Sequence, residues 1–487
     1  MTRPVQTPST AAAAVLALEV DRRKNEPLHA QLGQQLRRMI LEGRIGRGVR
    51  LPSSRSLAVD LNISRATVVL AYDQLASEGY LEGRQGAGAF VSSSLPEQML
   101  QVARPAVAPS PRKPAPAAMA QPEPSRPFQL GAADPQLFPY RDWARLLARV
   151  WRNPRRDLTG PMNPFGWADL RAAIAVHLRE WRGIDCPAAR IVITSGTADA
   201  VDILTHAAFQ RGDGVWMEEP GYPSLRYALV NAGIATTPVP VDAGGFDVEL
   251  ALRLAPAARG AIVTPSRQFP LGPVLPLSRR LALLDWAASS QAWIIEDDFD
   301  SEYRYSGAPL PALTSLDRSD RTIYIGSFSK VLSPSLRLGF IVLPEQLVEP
   351  TTLHLRRRGA MASIVAQPVL AEFMATGAYA THIRRTRRIY AKRMAALVAE
   401  QPQLDGLLEL TPTTAGMHLV ALLAPKLKRR MSDREAADRA RRAGIATSAL
   451  ADYCTLTPTA SGLILGFAGF PEADLQSAAD RLAKALA

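Results

Sequence analysis

Five short β-rich runs, at residues 191–194, 215–217, 261–264, 293–295 and 322–325, alternate with longer stretches of helical spacing through residues 128–487. That alternation leaves few solutions, and it predicts an α/β domain: a mostly parallel sheet covered by helices on both faces. In open sheets of this kind ligands sit beyond the carboxyl ends of the strands. Reactive residue types collect at those ends here.

After the first run comes Ser195-Gly196-Thr197-Ala198, which opens a helix whose free N–H groups can receive a phosphate. After the second, Glu218-Glu219-Pro220-Gly221-Tyr222 can present the Tyr222 ring as a stacking platform. The fourth leads into Glu296-Asp297-Asp298, a carboxylate source for a ring nitrogen. The fifth leads into Ser327-Phe328-Ser329-Lys330 and, seven residues on, Arg337. A lysine there can form a Schiff base with an aldehyde, while serine hydroxyls and the planar arginine fork hold a dianionic phosphate. Taken singly, each residue also has a plain reading: a solvated loop lysine, or a strand-end cap at Asp297. Together the phosphate cradle, stacking ring, carboxylate and amine describe one ligand, pyridoxal 5′-phosphate, whose ring withdraws electrons when its nitrogen is kept protonated.

Residues 25–91 carry a different pattern. Leu28, Leu32, Leu36 and Ile40 recur every four residues behind Pro27, predicting an amphipathic helix to about Glu42. Ser53 or Ser54 can cap a short second helix with Leu57, Ala58 and Leu61 inward, and Ser64 a third with Val68, Tyr72 and Leu75 inward, stopped by Gly79. Two short apolar runs then flank Gly83-Arg84-Gln85-Gly86-Ala87-Gly88, a hairpin with a basic tip. Helix, helix-turn-helix and wing is a DNA-binding layout, with a small protein-interaction domain as the plainer reading.

Between these regions, residues 92–127 hold nine prolines interleaved with Ala, Ser and Gln and show no apolar periodicity. This reads as a semi-rigid linker, about 100 Å long if extended at about 3.1 Å per residue. Residues 1–24 form an N-terminal arm. The formal charge of +12 suits a polyanionic partner without requiring one. Two distant cysteines, Cys186 and Cys454, argue against a disulfide framework and fit a reducing cytoplasm. The six histidines show no metal-ligand spacing, so no metal is expected. No run is long and apolar enough to span a bilayer, which points to a cytoplasmic location. The basic run from Arg384 to Arg393 reads as a solvated helix face rather than a second DNA site.

The stretches Leu51-Pro52-Ser53-Ser54-Arg55-Ser56-Leu57-Ala58, Ser64-Arg65-Ala66-Thr67-Val68 and Leu75-Ala76-Ser77-Glu78-Gly79-Tyr80-Leu81 closely resemble the winged-helix domain of the GntR family. Residues 128–487 resemble a fold-type I aminotransferase, also through Leu137-Phe138-Pro139, the run from Val263 to Gly272, and His382-Ile383-Arg384-Arg385. The whole chain is thus similar to the MocR subfamily of transcriptional regulators. That resemblance implies double-stranded operator DNA as a partner, contacted by Arg55, Arg65, Thr67, Gln85 and Gly86, with Ser64 at the head of the same helix. It implies pyridoxal 5′-phosphate linked to Lys330, with Asp297 at the ring nitrogen, Tyr222 over the ring, and the phosphate on Thr197, Ala198, Ser327, Ser329 and Arg337. It also implies a head-to-tail homodimer.

Three positions depart from the pattern. Arg267 stands where the subfamily usually has His, and Phe299 where it usually has Tyr; a phenyl ring donates no hydrogen bond to the cofactor. The C-terminal arginine that clamps a substrate carboxylate in aminotransferases is replaced within Ile464-Leu465-Gly466-Phe467-Ala468. Arg267 is the candidate to take over that role toward an effector. The expected function is a regulator that senses a small amine, an amino acid or the cofactor itself, with at most slow transamination. A working aminotransferase with an appended DNA-binding head is the alternative, and a cofactor-free shell kept for dimerisation is a third reading, opposed by the intact Lys330 and Asp297.

Overall fold

The computed structural model describes residues 18–22, 26–84, 88–95, 125–131, 133–307 and 310–487. Two compact units divide the chain, residues 1–121 and 122–487. The expected linker falls mostly, at residues 96–124, outside the described residues, as do Gln85 and Gly86 of the expected wing tip.

The first unit contains α1 (Leu28–Leu41), α2 (Ser54–Asp60), α3 (Arg65–Ser77) and the antiparallel strands β1 (Leu81–Arg84) and β2 (Gly88–Val91). Ser53 and Ser64 each accept a backbone N–H of their helix's first turn, so two orphan donors are satisfied by short polar side chains. Gly79, at φ +83°, ends the chain's run through α3 in a conformation that a Cβ disfavours. Leu32, Leu36, Leu57, Val68 and Leu75, all fully buried, make the core between the three helices and the hairpin.

In the second unit a seven-stranded sheet runs β3-β9-β8-β7-β6-β4-β5, with β3 at Ile191–Thr194, β4 at Gly214–Glu219, β5 at Ala235–Pro240, β6 at Gly260–Val263, β7 at Trp293–Asp298, β8 at Thr322–Ser327 and β9 at Gly339–Val342. The pairs from β5 through β4, β6 and β7 to β8 are parallel, and β9 is antiparallel to both β8 and β3. Successive side chains serve opposite faces. Val215, Met217 and Ile295 enter one apolar cluster with the helices Thr197–Ala207 and Glu345–Arg358; Trp216 and Ile294 enter another with the helix Leu277–Ser290.

Two strands of this sheet, and all four of the sheet that follows it, were not expected from the sequence. β5 reads Ala-Thr-Thr-Pro-Val-Pro, too polar and proline-rich for an interior strand, and the fold tolerates it because β5 is an edge. β9 is only four residues long and follows a polar loop, so it carries little signal of its own. A second, antiparallel sheet follows in the order β10-β11-β13-β12, with β10 at Leu408–Leu410, β11 at His418–Leu423, β12 at Ser448–Ala449 and β13 at Gly462–Gly466. Arg384, Arg385 and Arg388 lie exposed on the long helix Ala378–Ala399 while Ile383 and Tyr390 are buried, the arrangement of a solvated face. No helix among the described residues is long and apolar enough to cross a membrane.

Leu36 has no exposed surface and sits at the centre of the first unit's core. Leu36→Ala should therefore lose about 2–5 kcal/mol from that unit alone. Calorimetry of the full chain should show one shifted transition; a shift of the larger unit's transition instead would contradict the division of the cores.

Candidate cofactor site and nucleic-acid interface

At the carboxyl end of β7 three consecutive carboxylates face alternate sides of the sheet, and their partners differ. Glu296 accepts the N–H groups of Leu313 and Thr314 and the Thr314 hydroxyl. Asp298 pairs with the Arg182 guanidinium at 2.8 Å and accepts the Tyr324 hydroxyl at 2.6 Å. Asp297, on the other face, is buried with no hydrogen-bond partner for Oδ1 among the described residues. Burial pushes its carboxyl up to about 7, reinforced by Asp298 and Glu218 and opposed by Lys330. A buried carboxylate without a donor is costly unless a charged donor meets it, and a protonated ring nitrogen is one.

Lys330 follows β8 by three residues. Its amine donates to the Gly131 carbonyl at 3.2 Å, and desolvation lowers its pKa against the opposing pull of Asp300 and Asp297. Gly131 lies at φ +69°, a conformation that favours glycine, and a Cβ there would stand 2.3 Å from the Lys330 nitrogen, so a side chain at this position would displace the amine from its contact.

The phosphate-binding candidates meet across β9. Thr194, at the end of β3, is in register with Gly339, which is in register with Ser327 at the end of β8. A Cβ on Gly339 would touch the Gly326 carbonyl at 3.0 Å, the Thr194 hydroxyl at 3.1 Å and Gly196 Cα at 3.2 Å, so the turn at Gly196 rests directly on β9. Gly196, at φ +109°, precedes the helix starting at Thr197, whose first N–H groups are free of side-chain caps. Ser327 Oγ accepts the Ser329 N–H at 3.2 Å, and Arg337 is exposed in a left-handed turn two residues before Gly339. Ala198 is exposed at the same helix start.

Tyr222 is 43% exposed and packs edge-on against Phe269, with ring centres 5.6 Å apart. Phe269 also meets Phe299, His418 and Tyr453 edge-on within 5.4–5.5 Å. Arg267 does not reach into open space as an effector clamp. It is buried, pairs with Asp300 at 3.2 Å and donates to the His418 carbonyl at 2.8 Å. Gly416, at φ +87°, leaves the room its guanidinium fills. In this arrangement the guanidinium expected to receive a carboxylate is paired with Asp300 and the His418 backbone.

Sequence reasoning also missed Glu218, Asp300, His418 and Gly131. Glu218 is fully buried and pushed up to about 7 by burial, with the Thr264 N–H and hydroxyl and the Gln268 amide turned to it. Asp300 is likewise raised, to about 6, and His418 is held neutral by burial and by Arg267. Asp300 had a signal, since it continues the acidic run that ends β7; His418 and Gly131 had none.

In the head, Ser64 Oγ accepts the Thr67 N–H at 3.1 Å and bonds the Thr67 hydroxyl at 2.8 Å. Arg65 is exposed and its Nε approaches Ser54 Oγ at 3.4 Å, bringing the starts of α2 and α3 together beside the exposed Arg55. Two positive helix ends and two guanidiniums thus share one surface.

Fold and site together define a helix-turn-helix regulator head followed by an aminotransferase-type domain. The gntR family of bacterial regulatory proteins matches residues 28–91, and aminotransferase class I and II matches residues 126–482. The chain is 40% identical to the probable rhizopine catabolism regulatory protein MocR of Rhizobium meliloti, over 93% of this chain and 92% of that one. It is 34% identical to the pyridoxine biosynthesis transcriptional regulator PdxR of Corynebacterium glutamicum, over 92% and 93%. Among solved structures, an archaeal alanine:glyoxylate aminotransferase superposes with a TM-score of 0.69 at 23% identity, covering 74% of this chain and 91% of that one. The α-aminoadipate aminotransferase LysN of Thermus thermophilus does so at 0.66 and 26% identity, covering 74% and 91%. The chain belongs to the MocR subfamily of GntR-type transcriptional regulators.

A carboxyl whose pKa is raised in the native state binds protons more tightly there than when unfolded. Stability of the ligand-free fold therefore falls as pH rises from about 4 to about 7. Asp297→Asn should stabilise ligand-free protein by about 1–4 kcal/mol at pH 8 and by less at pH 5. Thermal melts at the two pH values check this; equal effects at both would contradict an unpartnered Asp297.

Proposed function

We propose that this regulator holds pyridoxal 5′-phosphate at the carboxyl ends of β3, β7 and β8 and uses it to sense a small amine or amino acid. The unpartnered Asp297 beside Lys330 carries the reading. The bound cofactor supplies an aldehyde and an electron-withdrawing ring. Lys330 holds the aldehyde covalently, Asp297 keeps the ring nitrogen protonated, and Tyr222 stacks on the ring. Thr197, Ala198, Ser327, Ser329 and Arg337 take the phosphate, with helix-start N–H groups adding to its field. Phe299 leaves the ring oxygen without a phenolic donor, which favours sensing over rapid turnover. A relative named for control of pyridoxine biosynthesis lends support to a small-molecule signal at this site.

Operator DNA is read by α3. Arg65, at its exposed first turn, reaches base edges, whereas Arg55 on α2 clamps phosphate, assisted by Ser64, Thr67, Gln85 and Gly86. A head-to-tail homodimer presents two such heads. A small molecule changes operator affinity only by its differential affinity for two arrangements, typically about 1–3 kcal/mol of coupling or about 5- to 150-fold.

The purified full chain should absorb visible light through the lysine-linked cofactor. Lys330→Ala should abolish that band while leaving the thermal unfolding profile of the second unit in place; a persisting band would move the covalent link elsewhere. Arg65→Ala should weaken operator binding by about 1–3 kcal/mol and relax sequence preference, while Arg55→Ala weakens all sequences and lowers the salt dependence. Competition against random DNA separates the two, and unimpaired binding by both variants would remove α3 and its neighbour as the reader.

A further inference from the structure

The chemical class of the effector can be read from the charges and surfaces beside Lys330, resting on the sensing role proposed above. A carboxylate entering a buried site needs an unspent cation or several free donors, because its desolvation is otherwise uncompensated. The charge of Arg267 is already paired. Both its terminal nitrogens are engaged, by Asp300 and by the His418 carbonyl, while its Nε has no hydrogen-bond partner among the described residues and lies against Gly416. Arg226, beyond Tyr222, is turned to the Thr455 hydroxyl.

The position where aminotransferases carry their carboxylate clamp is equally closed. On β13, Ile464 pairs with Val420, and His418 pairs with Gly466 two residues along, so Ile464, Val420 and His418 share one sheet face. His418 on that face touches Arg267 and Phe269. Residue 464 therefore belongs to the site's side of the sheet, whereas Leu463 and Leu465 belong to the core on the opposite side. Ile464 is fully buried and presents methyl groups where an arginine would present donors.

The remaining charges disfavour an anion further. Glu218 and Asp300 lie close enough to Asp297 to raise its proton affinity, and Lys330 is the cation set against Asp297 and Asp300. Phe269, with Phe299 and Tyr453 against it, supplies an aromatic wall. A cationic amine gains from these acids, and an apolar or hydroxylated body is compatible with the wall; a second carboxylate gains from neither.

We propose that the effector bound beside Lys330 is a primary amine that carries no carboxylate. Ile464 and the Arg267–Asp300 pair determine that specificity.

The test uses the cofactor-loaded full chain and matched pairs that differ by one carboxylate: cadaverine and lysine, putrescine and ornithine, ethanolamine and serine, phenethylamine and phenylalanine. Affinity is read by calorimetry and by the change in visible absorption, and operator affinity is followed in parallel. In the pairs that bind, the amine should be at least about tenfold tighter than its amino acid, the equivalent of about 1.4 kcal/mol. The near-isosteric D300N releases the Arg267 charge and should shrink that ratio at least about tenfold. Equal or tighter binding of the amino acids overturns the inference and leaves the sensing role intact. A ratio unchanged in D300N overturns the role given to the Arg267–Asp300 pair. If no amine or amino acid changes the spectrum, the heat or the operator affinity while the lysine-linked band is present, the sensing role itself fails, and the inference fails with it.

Discussion

The site depends on one carboxylate, Asp297, whose Oδ1 the fold buries without a hydrogen-bond partner among the described residues. Three acids end β7, and a strand's period of two sends Glu296 and Asp298 to one side and Asp297 to the other. Arg182, Tyr324 and the turn at Thr314 meet the first two. Asp297 is left facing Lys330 in a medium that raises its proton affinity. Such a group destabilises the fold by itself, and the cationic ring of the proposed cofactor would complete it. Stability given up at a site for the sake of binding is a common arrangement.

Everything else at the site follows from bringing four strand ends to one edge. The antiparallel β9 is the device that does this, since Gly339 lies between Thr194 and Ser327 and is small enough for the Gly196 turn to rest on it. The segment that follows residue 124 then runs beside β13 at Phe128 and delivers the Gly131 carbonyl to the lysine. The chain entering the second unit is thus in direct contact with its most reactive side chain.

Much of this was legible in the sequence because strand-end chemistry is local. Lys330, Asp297 and Tyr222 each follow an apolar run within a few residues, and the caps Ser53 and Ser64 sit directly before their helices. What could not be read was set by pairing across the sheet. Nothing in Gly-Phe-Ile-Val announces an antiparallel strand inserted between β3 and β8, and β5 hid behind its prolines. The partners of Arg267 were hidden for a related reason. Its charge is plain in the sequence, but the partners that consume it, Asp300 and His418, are 33 and 151 residues away.

The division between sensing and catalysis comes down to the same economy of charge. With Phe299 lacking a hydroxyl and Ile464 lacking a guanidinium, the proposed reading rests on Lys330 and on Asp297 at the ring nitrogen. The central claim, that Asp297 exists to hold a protonated ring nitrogen, is tested most directly by nitrogen NMR of the full chain loaded with ring-15N pyridoxal 5′-phosphate. The account predicts a protonated ring nitrogen at about pH 8 in the wild type and its loss in Asp297→Asn, because an adjacent buried carboxylate favours the charged ring. A neutral-pyridine nitrogen shift in the wild type at that pH would contradict it.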